Sequence, residues 1–143
     1  MKSRFTGELV FLKLGGSLIT DKAKELFCYL AKRIAPGRIL LAGEVDGIFT
    51  ADPLRDPEAK LVTEITPSQT DELTTLLPGS YGPDVTGGMA QKVRLTLELV
   101  REMPGTTVLI MSGRVLGIVK RALLGSPPSR CTVIKTSCAP GGR

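Results

Sequence analysis

The sequence predicts an α/β fold with a mostly parallel sheet flanked by helices, and three observations carry that reading. Short apolar runs of strand length alternate with longer stretches whose apolar residues recur at helical spacing, the order that builds strand-helix-strand units. The apolar material is aliphatic: 42% of residues are hydrophobic, only 4% are aromatic and Trp is absent, which suits a sheet buried on both faces. At 143 residues the chain has the usual length of one compact domain, read here as residues 1–135, with the tail 136–143, TSCAPGGR, expected to be disordered.

Residues 9–14, apolar except for Lys13, predict a first strand that runs straight into Gly15, Gly16 and Ser17. A helix is predicted over 23–34, where Leu26, Phe27, Leu30, Ala31 and Ile34 share a face and Pro36 with Gly37 ends the pattern. Residues 38–42 form a second buried strand. The stretch 43–60, GEVDGIFTADPLRDPEAK, is rich in Gly, Pro and Asp and predicts a long functional loop. A helix over 66–77 is marked by Thr66 as cap, Pro67 at the first helical position and Gln69 closing a capping box. The clearest helix spans 88–103, with Met89, Val93, Leu97 and Val100 on one stripe, and Pro104 stops it. A strand over 107–111, a short helix over 116–124 and a strand over 131–135 follow. No internal repeat is present.

Composition narrows the function. The net charge of +5 is spread along the chain without a basic run interleaved with aromatics, which argues against nucleic acid. Cys28, Cys131 and Cys138 contain no CxxC pair and His is absent, so no metal site of protein ligands is expected. The N-terminal apolar run is too short for a signal peptide and no stretch reaches membrane-spanning length. The expectation is a cytoplasmic protein with reduced thiols and no membrane partner.

Three constellations carry chemistry. KLGGSLITDK, residues 13–22, sets Lys13 at a strand end, two glycines in the turn and Lys22 beyond them. Glycines let backbone N–H groups approach phosphate oxygens, and lysines offset charge on a phosphoryl group in transfer. The spacing is not that of a Walker A loop, and alone GGS is an ordinary turn. DVTGGMAQK, residues 84–92, places Lys92 one helical turn after Gly88, beside the N-terminal amides of a helix; an exposed lysine after a flexible cap explains it equally well. The loop 44–53, EVDGIFTADP, offers acids and backbone polar groups to a ribose, a base or a magnesium-bound phosphate; read alone it is a connection with turns at Asp46-Gly47 and Asp52-Pro53.

In this order the three motifs resemble the amino acid kinase superfamily, and ITDK with DVTGGM is most similar to isopentenyl phosphate kinases. The resemblance covers nearly the whole chain and implies a partial amino acid kinase-like fold that transfers the γ-phosphoryl of ATP, with Mg2+, to a small-molecule phosphate acceptor, isopentenyl phosphate. It implies that Lys13, Leu14, Gly15, Gly16 and Ser17 line the ATP phosphates and that Lys22 stabilises the phosphoryl group in flight. It further implies that Phe49, Thr50, Ala51, Asp52, Pro53 and Leu54 border the nucleotide and that Gly88 and Lys92 contact its phosphates. Where the family loop usually opens with Asp, this chain has Glu44, one methylene longer. The family's HGGGS-type loop and acceptor-binding histidine have no counterpart here, which implies an internal deletion after Lys22. Loss of that segment predicts exposed apolar edges, with self-association or association with a full-length kinase, and leaves two alternatives, a catalytically silent nucleotide-binding fragment or a related amino acid kinase with another phosphate or carboxylate acceptor.

Overall fold

The computed structural model describes residues 10–14, 21–69, 88–126 and 128–136, giving for 10–14, 21–24 and 88–92 the course of the backbone. In chain order the elements are β1 (Val10–Leu14), α1 (Asp21–Ile34), β2 (Arg38–Gly43), β3 (Ile48–Phe49), β4 (Leu61–Val62), β5 (Glu64–Ile65), a 3-10 turn (Pro67–Gln69), α2 (Gly88–Glu102), β6 (Thr107–Ser112), α3 (Ile118–Leu123) and β7 (Thr132–Ile134). The main sheet has the order β1-β2-β6-β7-β5, and β3 pairs with β4 in a separate two-stranded ribbon. β1, β2 and β6 are parallel, β7 runs antiparallel to β6, and β5 is parallel to β7.

The alternation of side chains along β2 and β6 makes two cores. Ile39, Leu41, Val108 and Ile110 face α1 and α2, where Phe27, Ala31, Val93, Leu97 and Val100 complete one cluster. Leu40, Ala42, Leu109 and Met111 face the other way and pack with Ala122 of α3 and Cys131. Each buried Leu or Ile removed from water contributes about 1.5–3 kcal/mol, so burial on both faces makes these two strands the centre of the fold.

Local chemistry ends each helix. Ala35 closes α1 at φ 47°, its N–H donating to Ala31 O at 2.8 Å, and Pro36 cannot continue the ladder. Thr106 Oγ1 donates to Pro36 O at 2.8 Å and Thr107 N to Gly37 O at 3.0 Å, so the exits of α1 and α2 are stitched together at the start of β2 and β6. Lys32 and Glu102 form an ion pair across the same ends. Arg38 caps α3 from β2, donating from Nη1 to Ala122 O at 2.6 Å, where a cation meets the free carbonyls and negative dipole end of a helix.

The structure departs from the sequence reading in three places. The predicted loop 43–60 contains one strand of a ribbon, since Ile48 and Phe49 pair with Val62 and Leu61. Strands of two residues carry no periodicity to read. Next, the predicted helix 66–77 begins as the 3-10 turn Pro67–Gln69. Gln69 Oε1 accepts the Thr66 N–H at 3.0 Å, one half of the expected capping box, while the Thr66 hydroxyl meets Ser68 and Gln69 side chains. Residues 70–77 lie outside the described residues, as do 137–143 of the expected tail, whereas Thr136 donates from Oγ1 to Pro104 O at 2.8 Å. Finally, the predicted apolar face of α1 is buried only at Phe27 and Ala31; Leu26, Leu30 and Ile34 are exposed, because nothing among the described residues covers that side of the helix.

Candidate functional site

The parallel strands share one carboxyl edge. In register, Leu14, Ala42 and Met111 lie side by side, with Lys13, Leu41 and Ile110 one position earlier. The chain turns off this edge after each strand, since Gly113 N donates to Gly43 O at 2.7 Å just past the last paired residues. A Cβ on Gly113 would lie 3.4 Å from that of Ala42, in van der Waals contact, so the two exits run side by side.

Both long helices point their N-termini at this edge. Their C-terminal turns meet through Lys32 and Glu102 at the opposite edge, and α1 and α2 have 14 and 15 residues. At 1.5 Å per residue each spans about 21–22 Å, close to the roughly 20 Å of a six-residue strand. The backbone at Lys22, in the first turn of α1, and at Gly88 and Lys92, in the first turns of α2, therefore stands on the side where β1 and β2 end. Lys13 and Leu14 reach the same edge on β1. Gly15, Gly16 and Ser17 lie outside the described residues.

The loop after β2 is held down residue by residue. Glu44 and Arg114, which follow β2 and β6, face each other at 3.4 Å and are both exposed. Asp46 accepts from Arg130 Nε at 2.7 Å. Gly47 passes against β7, where a Cβ would overlap Thr132 Oγ1 and come within 2.9 Å of Thr132 N. Ile48 N donates to Thr132 Oγ1 at 2.8 Å, and that hydroxyl donates in turn to Val62 O at 2.7 Å. Thr50 N donates to Lys60 O at 2.9 Å and Thr50 Oγ1 accepts from Lys60 N at 3.0 Å. Asp52 folds the next turn, its Oδ1 accepting Leu54 N at 2.9 Å and its carbonyl accepting Asp56 N at 2.8 Å. Phe49, Thr50, Ala51 and Asp52 are half-buried, while Pro53 and Leu54 stand out in solvent. The turn reading of Asp52-Pro53 thus describes the local geometry, and the predicted nucleotide-bordering stretch projects from the ribbon.

Among the described residues, no three acidic or cysteine side chains converge to hold a metal ion, and the carboxylates of Glu44, Asp46 and Asp52 each face an arginine. These groups do not build a magnesium cage of their own. Cys131, buried beside the site, donates weakly to Pro128 O at 3.4 Å, and burial pushes its thiol pKa up, away from the thiolate that reactivity needs.

Sequence reasoning missed Arg114, Arg130 and Thr132. Arg114 follows β6, Arg130 precedes β7 and Thr132 begins it, all far in sequence from the glycine motifs, and only the fold brings them to the loop.

With this arrangement in place, comparison with known proteins assigns the family. The family model described as amino acid kinase family matches residues 24–112, and the chain belongs to that family. It is 37% identical to an isopentenyl phosphate kinase of Methanothermobacter thermautotrophicus over 101 residues, 71% of this chain and 36% of that protein. It is 32% identical to a glutamate 5-kinase of Dehalococcoides mccartyi over 100 residues, 70% of this chain and 26% of the other. A solved isopentenyl phosphate kinase structure superposes with a TM-score of 0.57 at 29% identity, over 79% of this chain and 37% of its own. The chain therefore spans about a third of the length of such relatives. Among the described residues, no helix is long and apolar enough to cross a membrane.

Proposed function

We propose that this chain is the nucleotide-binding portion of an ATP-dependent kinase that phosphorylates isopentenyl phosphate. One observation carries the reading: the ends of β1 and β2, the loop 44–54 and the N-termini of α1 and α2 converge on one sheet edge, and these are the segments that hold the three motifs. Ligands of open α/β sheets bind outside the carboxyl ends of the strands, and helix N-termini favour phosphate.

On this reading Lys13, Leu14, Gly15, Gly16 and Ser17 bind the phosphates of ATP, and Gly88 with Lys92 approaches them from α2. Residues 49–54 border the nucleoside, and Glu44 exchanges its partner Arg114 for a nucleotide contact. Lys22 acts on the phosphoryl group between donor and acceptor, where an interaction made only in transfer lowers the barrier. Mg2+ would arrive on the nucleotide and neutralise phosphate charge. The acceptor is inferred from the ITDK and DVTGGM motifs and from the identity to an isopentenyl phosphate kinase.

A second reading, a nucleotide-binding fragment without turnover, is favoured by the chain's share of its relatives' length and by the absence of histidine. ATP affinity by calorimetry and single-turnover transfer to isopentenyl phosphate, measured on one preparation, decide between the two. Binding with transfer supports the kinase, binding alone supports the fragment, and no binding of ATP defeats both. Lys22→Met should keep nucleotide affinity and lose rate; equal loss in both would remove the role given to Lys22.

A further inference from the structure

We infer that Thr132 is a positioning residue for the nucleotide loop, so that the C-terminal strand β7 completes a site whose recognisable motifs all lie before residue 93. The inference rests on the nucleotide reading above. Thr132 is fully buried, and its hydroxyl links two strands of the ribbon at once, accepting from Ile48 N and donating to Val62 O. A threonine in the interior of a sheet ordinarily packs its methyl and bonds locally. Here the hydroxyl ties β7 to two segments 84 and 70 residues away in sequence.

The loop is shaped to accept this grip. Gly47 leaves room for the Thr132 hydroxyl that any Cβ would fill, Arg130 takes Asp46 on the near side, and Val133 N donates to Thr63 O at 2.9 Å on the far side. Residues 46–49 are thereby registered against β7, which is itself registered against β6 through Ile110 and Thr132. Because β6 ends at the carboxyl edge, the hydroxyl fixes how far Phe49 and the following 50–54 stand from the strand ends. Loss of the hydroxyl takes a hydrogen-bond partner from the buried Ile48 N–H and from the part-buried Val62 carbonyl, and the ribbon shifts to compensate.

The test compares Thr132→Val, Thr132→Ser and the core control Val108→Ala, with the affinity for ATP and the melting temperature measured for each. The expected result is a loss of ATP affinity of about tenfold or more in Thr132→Val, the factor that corresponds to about 1.4 kcal/mol, with near-native affinity in Thr132→Ser. Val108→Ala should lower the melting temperature and leave affinity unchanged, which separates loop placement from general loosening. Amide exchange at Ile48 gives a readout without ligand: faster exchange in Thr132→Val than in Val108→Ala is expected. Native ATP affinity and native Ile48 protection in a folded Thr132→Val would overturn the inference while leaving the nucleotide reading intact. If Thr132→Val does not fold, Thr132→Ser with tenfold weakened binding overturns it equally. Absence of ATP binding in the unaltered chain would defeat the underlying reading, and the inference with it.

Discussion

Helices α1 and α2 lie on the same face of the sheet, have nearly the same length and are both amphipathic, yet they are held very differently. α2 buries Val93, Leu95, Thr96, Leu97, Leu99 and Val100, while α1 buries Phe27 and Ala31 and leaves Leu26 56% and Tyr29 60% exposed. α2 packs on β6 and β7 in the middle of the sheet, whereas nothing among the described residues covers the outer side of α1. Amphipathicity is the property of a helix; burial is a property of its neighbours. The apolar stripe of α1 is a surface that nothing among the described residues covers.

The largest expected effect is on α2. Leu99→Ala should cost about 2–5 kcal/mol, since a fully packed side chain leaves a cavity, whereas Leu26→Ala on α1 should change stability by less than about 0.5 kcal/mol. Denaturant titration of both variants checks the ranking, and similar losses would mean that α1 is as firmly packed as α2. A smaller gain is expected at the end of α1. Ala35 holds a left-handed conformation that disfavours a Cβ by roughly 1–2 kcal/mol, so Ala35→Gly should stabilise the chain by about 1 kcal/mol, an increase readable as a raised melting temperature.

The exposed stripe sharpens the contrast in a different observable. Leu26→Glu with Tyr29→Lys should reduce self-association in sedimentation at raised protein concentration, while leaving the spectrum of the folded chain unchanged. Undiminished association would move the sticky surface elsewhere. The smallest effect belongs to the pair that joins the two helices. Hydrogen bonding to Glu102 raises the Lys32 pKa above its ordinary 10.5. A raised pKa means that the pair's support is fully present below 10.5 and is lost as pH climbs through the higher folded value. The difference between wild type and Lys32→Met should therefore be salt-sensitive at neutral pH and vanish at strongly alkaline pH; a difference that grows with pH would contradict the assignment.

The parts of the fold that were legible are those whose burial follows from composition. ILLA and VLIM are uninterrupted apolar runs at the centres of β2 and β6, which are buried on both faces. The helix at 88–102 was marked by spacing and by Pro104. Leu26 and Leu30 misled because periodicity reports which residues share a face and not whether anything packs on it. Ile48 and Phe49 were hidden in a loop rich in turn residues because a two-residue strand is defined by its partner. For the site, the glycine and lysine motifs singled out three segments, and the topology brings the described parts of them to one edge. Thr132 announced nothing, since a β-branched residue in a strand is unremarkable until its hydroxyl is seen between Ile48 and Val62.

The central claim, that nucleotide binds at the carboxyl edge of the parallel strands, is tested most directly by following backbone amide resonances during titration with MgATP. The account predicts shifts at Leu14, across residues 43–52, at Leu54 and at Gly113 and Arg114, with none at Gly37, Gly105 and Thr107, which lie at the opposite edge. Shifts confined to that opposite edge, or an unaltered spectrum at saturating nucleotide, would contradict it.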